Sequence, residues 1–213
     1  MSIFYQIRRE YELSGLSEQD LTESPFQLFD RWLQQTMQIK EISDPTAMII
    51  ATVNEQGQPS QRTVLMKAAT DSALVFYTNK NSQKGQDLTT NPNISAIFPW
   101  LAAERQVIFQ GKVEPLSEQE NDAYFYSRPF SSQVAAVISQ QSQTISSRDE
   151  LEQKYHHALA EHPTEKIQRP SHWGGYRINC HSVEFWQGGE YRLHDRFIYR
   201  KKGQQWQVSR LQP

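Results

Sequence analysis

The chain has 213 residues, enough for one domain with a real core, or for a domain and a small appendage, but not for two domains of full size. Its 22 basic and 24 acidic side chains leave a formal charge of −2, so no global field draws nucleic acid or an anionic membrane, and any anion site must be local. A single cysteine, Cys180, excludes an intrachain disulfide and a cysteine-built metal site; a reducing cytoplasm is the expected setting and a small buried hydrophobe the expected role.

In chain order, residues 1–23 are polar and weakly periodic and read as an arm, while 24–213 read as the domain, with a helical part at 117–161. The amino terminus has no apolar stretch of the signal-peptide kind and no later run is long enough to span a bilayer, so a soluble, intracellular protein is expected. Ser24-Pro25 opens a helix predicted over 25–40: Ser24 caps it, Pro25 suits the first turn, Gln27 completes a capping box, and Phe26, Phe29, Leu33 and Met37 form an apolar stripe. From Thr46 the texture changes to short β-branched and aromatic runs: Ala47–Val53, Ser60–Lys67, Ala73–Thr78, Ile94–Trp100 and Arg105–Val113. Asn54-Glu55-Gln56-Gly57 reads as a hairpin loop.

Ser82 caps a short helix that ends at Asn91-Pro92. Ser117-Glu118-Gln119-Glu120 and Ser147-Arg148-Asp149-Glu150 are both capping boxes, the second opening a helix that reaches Glu161. After a polar loop at 162–172, Gly175–Asn179, His181–Trp186, Tyr191–Arg200 and Trp206–Leu211 complete the strands. Consecutive strands with short links argue for an antiparallel barrel or sandwich over a doubly wound sheet.

Three clusters could carry chemistry. Gly188-Gly189, between Val183–Trp186 and Tyr191–Phe197, predicts a two-residue turn with both central positions at positive φ. Alternation beyond it puts Arg192, His194 and Arg196 on one face, two permanent charges and one switchable imidazole, a row suited to an anionic, ring-bearing ligand. An exposed strand edge protected by charge has the same composition. The same alternation sets Trp186, paired with Tyr191 across the turn, on the face opposite Arg192.

The second cluster is Tyr124, Arg128 and Ser132. Tyr124 and Arg128 are four apart at the end of the Ser117 helix, which Pro129 stops. Ser132 is expected where the next helix begins, with free backbone N–H groups, so the three could hold a phosphate; ordinary helix-end capping uses the same residues. The third is Arg62 to Lys67, followed by Tyr77-Thr78 and Lys84. A regular strand puts Arg62 and Lys67 on opposite faces, able to serve two anions or two ends of one pocket, or simply solvated. Gln106, with Arg105 beside it, and Gln141-Ser142 add neutral groups that read the edge of a heteroaromatic ring. There is no glycine-rich phosphate loop, nucleophile elbow or His-Glu-x-x-His, and His156-His157 reads as a solvated helix surface. Chemistry therefore falls to a bound organic cofactor.

These segments resemble the pyridoxamine (pyridoxine) 5′-phosphate oxidase family over nearly the whole length. The resemblance is carried by Arg8-Arg9-Glu10-Tyr11, Asp44-Pro45-Thr46-Ala47-Met48, Gln61 to Lys67, Val75 to Asn79, Glu104-Arg105-Gln106-Val107, Tyr126-Ser127-Arg128-Pro129, Trp173-Gly174-Gly175-Tyr176-Arg177, Glu184 to Gly189, Arg192-Leu193-His194-Asp195-Arg196 and Arg210-Leu211-Gln212-Pro213. It implies a mainly β protein with flanking helices, an antiparallel Greek-key split β-barrel that binds FMN, and a homodimer with sites built by both subunits. It implies that Arg62, Thr63, Val64, Leu65, Met66, Lys67, Tyr77, Thr78, Gln83, Lys84, Gln106, Gln141, Ser142, Trp186 and Arg196 contact FMN. The family commonly has a basic pair at 83–84; here only Lys84 is charged. Lys67, Tyr124, Arg128, Ser132, Arg192, Leu193 and His194 are implied to hold the phosphorylated pyridine, with Arg192 and His194 at the reacting end and Arg8, Arg9, Glu10 and Tyr11 as a cover. The implied reaction is oxidation of pyridoxamine or pyridoxine 5′-phosphate to pyridoxal 5′-phosphate, with dioxygen as final acceptor. A split-barrel reductase using NAD(P)H and a non-catalytic flavin or pyridoxal phosphate carrier are the alternatives.

Overall fold

Every strand pairing among the described residues is antiparallel, and one long strand organises the rest. The structure, a computed structural model, describes residues 10, 11, 15–162 and 166–213; Arg8 and Arg9, expected over the site, lie outside the described residues. The strands are β1 (Ala47–Val53), β2 (Pro59–Leu65), β3 (Ala68–Ala69), β4 (Ala73–Asn79), β5 (Asn93–Trp100), β6 (Arg105–Pro115), β7 (Trp173–Gln187), β8 (Asp195–Lys202) and β9 (Gln205–Leu211). They form a nine-stranded sheet in the order β2-β1-β5-β6-β7-β4-β3, with β8 on β7 and β9 on β8.

β7 explains how this sheet curls. One edge pairs with β6 along its whole length, while the other pairs with β4 through Asn179 and with β8 from Ser182 onward. The register shift between Gln110 and Gly111 falls opposite that change of partner, and a Cβ on Gly111 would lie 2.3 Å from the Asn179 carbonyl oxygen. Only glycine permits that approach, and the bulge bends the sheet there. The two segments expected at 175–179 and 181–186 are therefore one continuous strand.

The strands alternate as a one-sided sheet should: β1 buries every second residue, Met48 and Ile50 among them. On that face lie Phe98, Phe109, Phe185, Phe197 and Tyr199, covered by α1 (Pro25–Thr36) through Phe26, Leu28, Phe29 and Trp32. The Ser24–Gln27 capping box forms, but α1 stops at Thr36 rather than 40 and Met37 is exposed. Ile39 and Ile42 pack onto the core from tight turns instead, and that burial outweighs another helical turn.

α2 (Gln83–Thr90) starts at Ser82 as expected. α3 (Glu118–Ser127), α4 (Phe130–Ile138) and α5 (Arg148–Glu161) form a second apolar cluster around Phe125, Val134 and Trp173. At α5 only half of the expected box is present: Ser147 Oγ accepts the Glu150 N–H, but the Glu150 carboxylate is taken by Ser146 and Lys154, which with it bring its pKa down to about 2. Within the amino-terminal arm, Leu16 enters the core, and Thr22 exchanges hydrogen bonds with the Tyr199 hydroxyl. Cys180 is buried and its thiol pushed up to about 12 by loss of water.

Candidate active site

A cleft of about 400 Å³ opens between β2, β4 and the helical cluster. It gathers Thr63, Val64, Leu65, Lys67, Tyr77, Thr78, Lys84, Tyr124, Arg128 and Gln141, drawn from stretches spread over some eighty positions of chain, together with Trp173. In the sequence Trp173 stands only within the Trp173-Gly174-Gly175-Tyr176-Arg177 motif, which by itself implies no role for it. Its ring lies parallel to Tyr77 at 5.3 Å, and Tyr77 stacks on Tyr124 at 4.0 Å. Asn121 fixes this wall: buried on α3, it accepts the Gly175 N–H at 2.8 Å and donates to the Leu116 carbonyl at 3.2 Å. Loss of water raises the pKa of both Tyr77 and Tyr124, so the two phenols stay neutral.

Arg128 caps the end of α3 in an extended conformation, as a residue before proline must. Its guanidinium lies 4.8 Å over the Trp173 ring, and its Nη1 is buried with no hydrogen-bond partner among the described residues. Burial lowers the pKa of this cation, with the Tyr124 phenol acting weakly the other way. Ser132 does not join it: it lies inside α4 and its N–H already donates to the Pro129 carbonyl, so the free N–H expected there is used.

Lys84, which also lines the cleft, is only 8% exposed. Its ammonium donates to Gln141 Oε1 at 2.8 Å and Ser82 Oγ at 3.3 Å, both neutral, while Thr78 Oγ1 donates to the same Gln141 oxygen. Burial and then the Arg62 charge hold its pKa down. The Gln83 N–H donates to Ser142 Oγ, and the Gln83 side chain to Asp87. Arg62 and Met66 do not line the cleft: Met66 is buried in the core, and Arg62 donates to Thr52 and Ser60 beside Asp87. β2 ends at Leu65, before the expected end at Lys67, so Lys67 reaches the cleft from beyond the strand and not by strand alternation with Arg62.

The remaining expected residues form a second group. No two-residue turn occurs at Gly188-Gly189; β7 ends at Gln187, β8 begins at Asp195, and Trp186 pairs with Arg196 rather than framing a turn with Tyr191. Gly189 has φ −142°, and the left-handed positions are Tyr191 (φ 53°) and Arg192 (φ 63°). The glycines serve close approach instead: a Cβ on Gly188 would lie 2.4 Å from the Tyr11 ring, and one on Gly189 2.5 Å from the Leu193 carbonyl oxygen. Arg192, Leu193 and His194 therefore belong to a loop, Arg192 exposed, and the single basic strand face is not formed.

That loop folds His194 onto Trp186, ring centroids 4.7 Å apart, with Tyr11 edge-on to His194 at 5.1 Å and to Trp186 at 5.6 Å. His194 Nδ1 accepts the Gly189 N–H at 3.1 Å, which leaves the proton of the neutral ring on Nε2. Arg196 is held by Glu184 and the Gln212 carbonyl, and Gln106 lies across from Trp186 on β6. Trp173 and Trp186 stand at opposite ends of β7, and at roughly 3.3 Å per residue that run is about 43 Å of strand contour. Among the described residues no three His, Cys, Asp or Glu side chains gather as metal ligands.

Comparison with known proteins covers most of the chain that carries the two groups. Residues 36–161 match the family described as pyridoxamine 5′-phosphate oxidase, and 173–213 match a pyridoxine 5′-phosphate oxidase C-terminal dimerisation region. The chain belongs to the pyridoxamine 5′-phosphate oxidase family. It is 52% identical to the pyridoxine/pyridoxamine 5′-phosphate oxidase of Yersinia pestis bv. Antiqua (strain Angola), over 97% of this chain and 95% of that one. The enzyme of the same name from Serratia proteamaculans (strain 568) is 51% identical over the same shares.

Among solved structures, PhzG from Burkholderia lata 383, in complex with tetrahydrophenazine-1-carboxylic acid, superposes with a TM-score of 0.88 at 28% identity, covering 96% of this chain and all of that one. A pyridoxamine 5′-phosphate oxidase-related, FMN-binding protein from Nostoc punctiforme PCC 73102 gives 0.70 at 15% identity, covering 89% and 98%, a likeness of fold. The curled antiparallel sheet with flanking helices is thus the split barrel of this family. No helix among the described residues is long and apolar enough to cross a membrane.

Proposed function

We propose that this chain is an FMN-dependent oxidase that converts pyridoxamine or pyridoxine 5′-phosphate to pyridoxal 5′-phosphate in the cytoplasm, acting as a homodimer whose sites use both subunits. The observation that carries this reading is the buried, unpartnered Nη1 of Arg128 in a cleft walled by aromatic rings. A buried donor without a partner costs stability, and a phosphate oxygen is the acceptor that would satisfy it. Lys84 supplies a second anion-seeking group, since its buried ammonium meets only neutral oxygens. Two such cations lining one cleft, each with its own set of neighbours, fit two phosphorylated ligands, the cofactor and the substrate.

In this reading Lys84, Thr78, Gln83, Gln141 and Ser142 hold the polar end of FMN, and Thr63 to Lys67 with Tyr77 line the rest of its seat. Arg62 acts from behind, through Thr52 and Ser60. Arg128 and Tyr124 take the substrate phosphate. Gln106, Trp186, Arg196, Arg192, Leu193 and His194 complete the site from the partner subunit, which is supported by their separation from the cleft along β7 and by the dimerisation region that contains most of them. Bound FMN supplies acceptance of a hydride from the exocyclic carbon bearing the amine or alcohol, and dioxygen carries the two electrons on to hydrogen peroxide; water hydrolyses the imine from the amine substrate and releases ammonia. His194 offers an Nε2–H donor to the substrate, and Arg192 a permanent charge beside the ring. Neither step asks the guanidinium to give up a proton.

Oxygen uptake tests the reading. The FMN-loaded protein should consume dioxygen and form peroxide with pyridoxine or pyridoxamine 5′-phosphate. Protein that takes up no FMN would refute it, as would NAD(P)H oxidation with no turnover of either pyridine, or tight flavin binding with no turnover at all.

A further inference from the structure

We propose that Arg210, Asp195 and Glu18 form a clasp that positions Tyr11 against Trp186 and His194, and so sets the substrate side of the site. The inference rests on the oxidase reading for its kinetic consequence, and on geometry alone for the clasp itself. Arg210 reaches back from the last strand and donates through Nε and Nη2 to the two oxygens of Glu18, at 2.9 and 3.1 Å. Its Nη1 donates to Asp195 Oδ1 at 2.6 Å, and its plane lies 4.3 Å over the Phe197 ring. Asp195 is thereby oriented so that Oδ2 accepts the Leu16 N–H at 3.0 Å. A Cβ on Gly15 would lie 2.7 Å from that same oxygen, so the chain crosses the carboxylate as closely as backbone allows.

One guanidinium thus ties together three stretches distant in sequence: the carboxy-terminal strand, the residue immediately after His194, and the segment leading from Tyr11. The Tyr11–His194 contact lies between two of these stretches, with Asp195 next to His194 and Leu16 five positions after Tyr11. The Arg210 side chain is 43% exposed and that of Glu18 67%, and ion pairs this open to water contribute little to stability. The clasp should therefore be felt in the placement of Tyr11, not in the melting temperature. The long, forked Arg side chain suits this role because all its donors are held at once in a fixed plane.

The test uses the full chain loaded with FMN, as wild type, Arg210→Ala and the milder Glu18→Gln. In Arg210→Ala, amide exchange at Leu16 should quicken at least tenfold. FMN affinity and melting temperature should hold, and KM for pyridoxine 5′-phosphate should rise several-fold at nearly constant kcat. Glu18→Gln should shift the same quantities less. In a chain lacking residues 1–11, Arg210→Ala should add nothing to the KM. Unchanged Leu16 exchange would overturn the clasp, and so would a KM effect of the same size in the shortened chain. If no variant and no wild-type protein turns over substrate, the oxidase reading fails, while Leu16 exchange still decides the clasp.

Discussion

Trp186 and His194 meet ring to ring, centroids 4.7 Å apart and planes inclined at 47°, although a loop with two left-handed residues separates them, and Gly188 beside them lets the Tyr11 ring press where any Cβ would stand. Gly188→Ala should therefore displace Tyr11 and raise KM for pyridoxine 5′-phosphate, by roughly three- to tenfold, about 0.7–1.4 kcal/mol of lost binding. Steady-state kinetics beside a thermal melt check this. An unaltered KM would show that Tyr11 does not contribute to the substrate side.

Arg128 presents a different balance. Its buried, unpartnered Nη1 is a cost in the ligand-free protein, partly offset by the contact with Trp173. Arg128→Met keeps the packing and removes the charge. The ligand-free variant should melt no lower than wild type, while KM for the phosphorylated substrate rises by about tenfold to a hundredfold, as expected for a lost charge-assisted bond. A melting temperature several degrees lower would mean that Arg128 serves the fold rather than an anion.

Lys84 gives a pH dependence of definite sign. Burial and Arg62 hold its folded pKa below that of the unfolded chain, so the unfolded state keeps the proton longer, and stability should rise with pH between the two values. Denaturant unfolding followed from about pH 7 upward toward the ordinary lysine value of about 10.4 spans that interval, and Lys84→Met is the reference because the tyrosines and Cys180 titrate alike in both proteins. Over that window wild type should gain stability, Lys84→Met should gain less, and saturating FMN should flatten the wild-type slope. A slope identical in wild type and Lys84→Met would contradict the assignment.

The order of elements was legible in the sequence because its signals are local. The Ser24, Ser82 and Ser117 caps and the alternation in β1 each state their structure within a few residues. The errors fell where distant contacts decide. Met37 lost its place in the apolar stripe to Ile39 and Ile42, which reach the core from turns. Gly188-Gly189 has turn composition, yet its glycines answer to Tyr11 and Leu193, which no local pattern announces. Strand period could not place Lys67, because β2 ends at Leu65, and the role of Trp173 as a wall of the cleft needed β4, β7 and α3 to meet.

Asn121 carries that meeting. Asn121→Ala would leave the Gly175 N–H and the Leu116 carbonyl without their buried partner, at a cost of about 2–4 kcal/mol. Denaturant titration should show the midpoint falling, and Tyr124, one turn along α3, should lose its stack on Tyr77. Stability within experimental error of wild type would show that α3 is held by its apolar face alone.

The sharing of one site between two subunits is tested most directly by mixing. Arg128→Ala and Arg192→Ala should each be nearly inactive alone. Unfolded together in equal amounts and refolded, they should recover about a quarter of wild-type sites, because half the dimers are mixed and each mixed dimer carries one intact site. A mixture as inactive as its parents would contradict the account and place both arginines in a site built by a single chain.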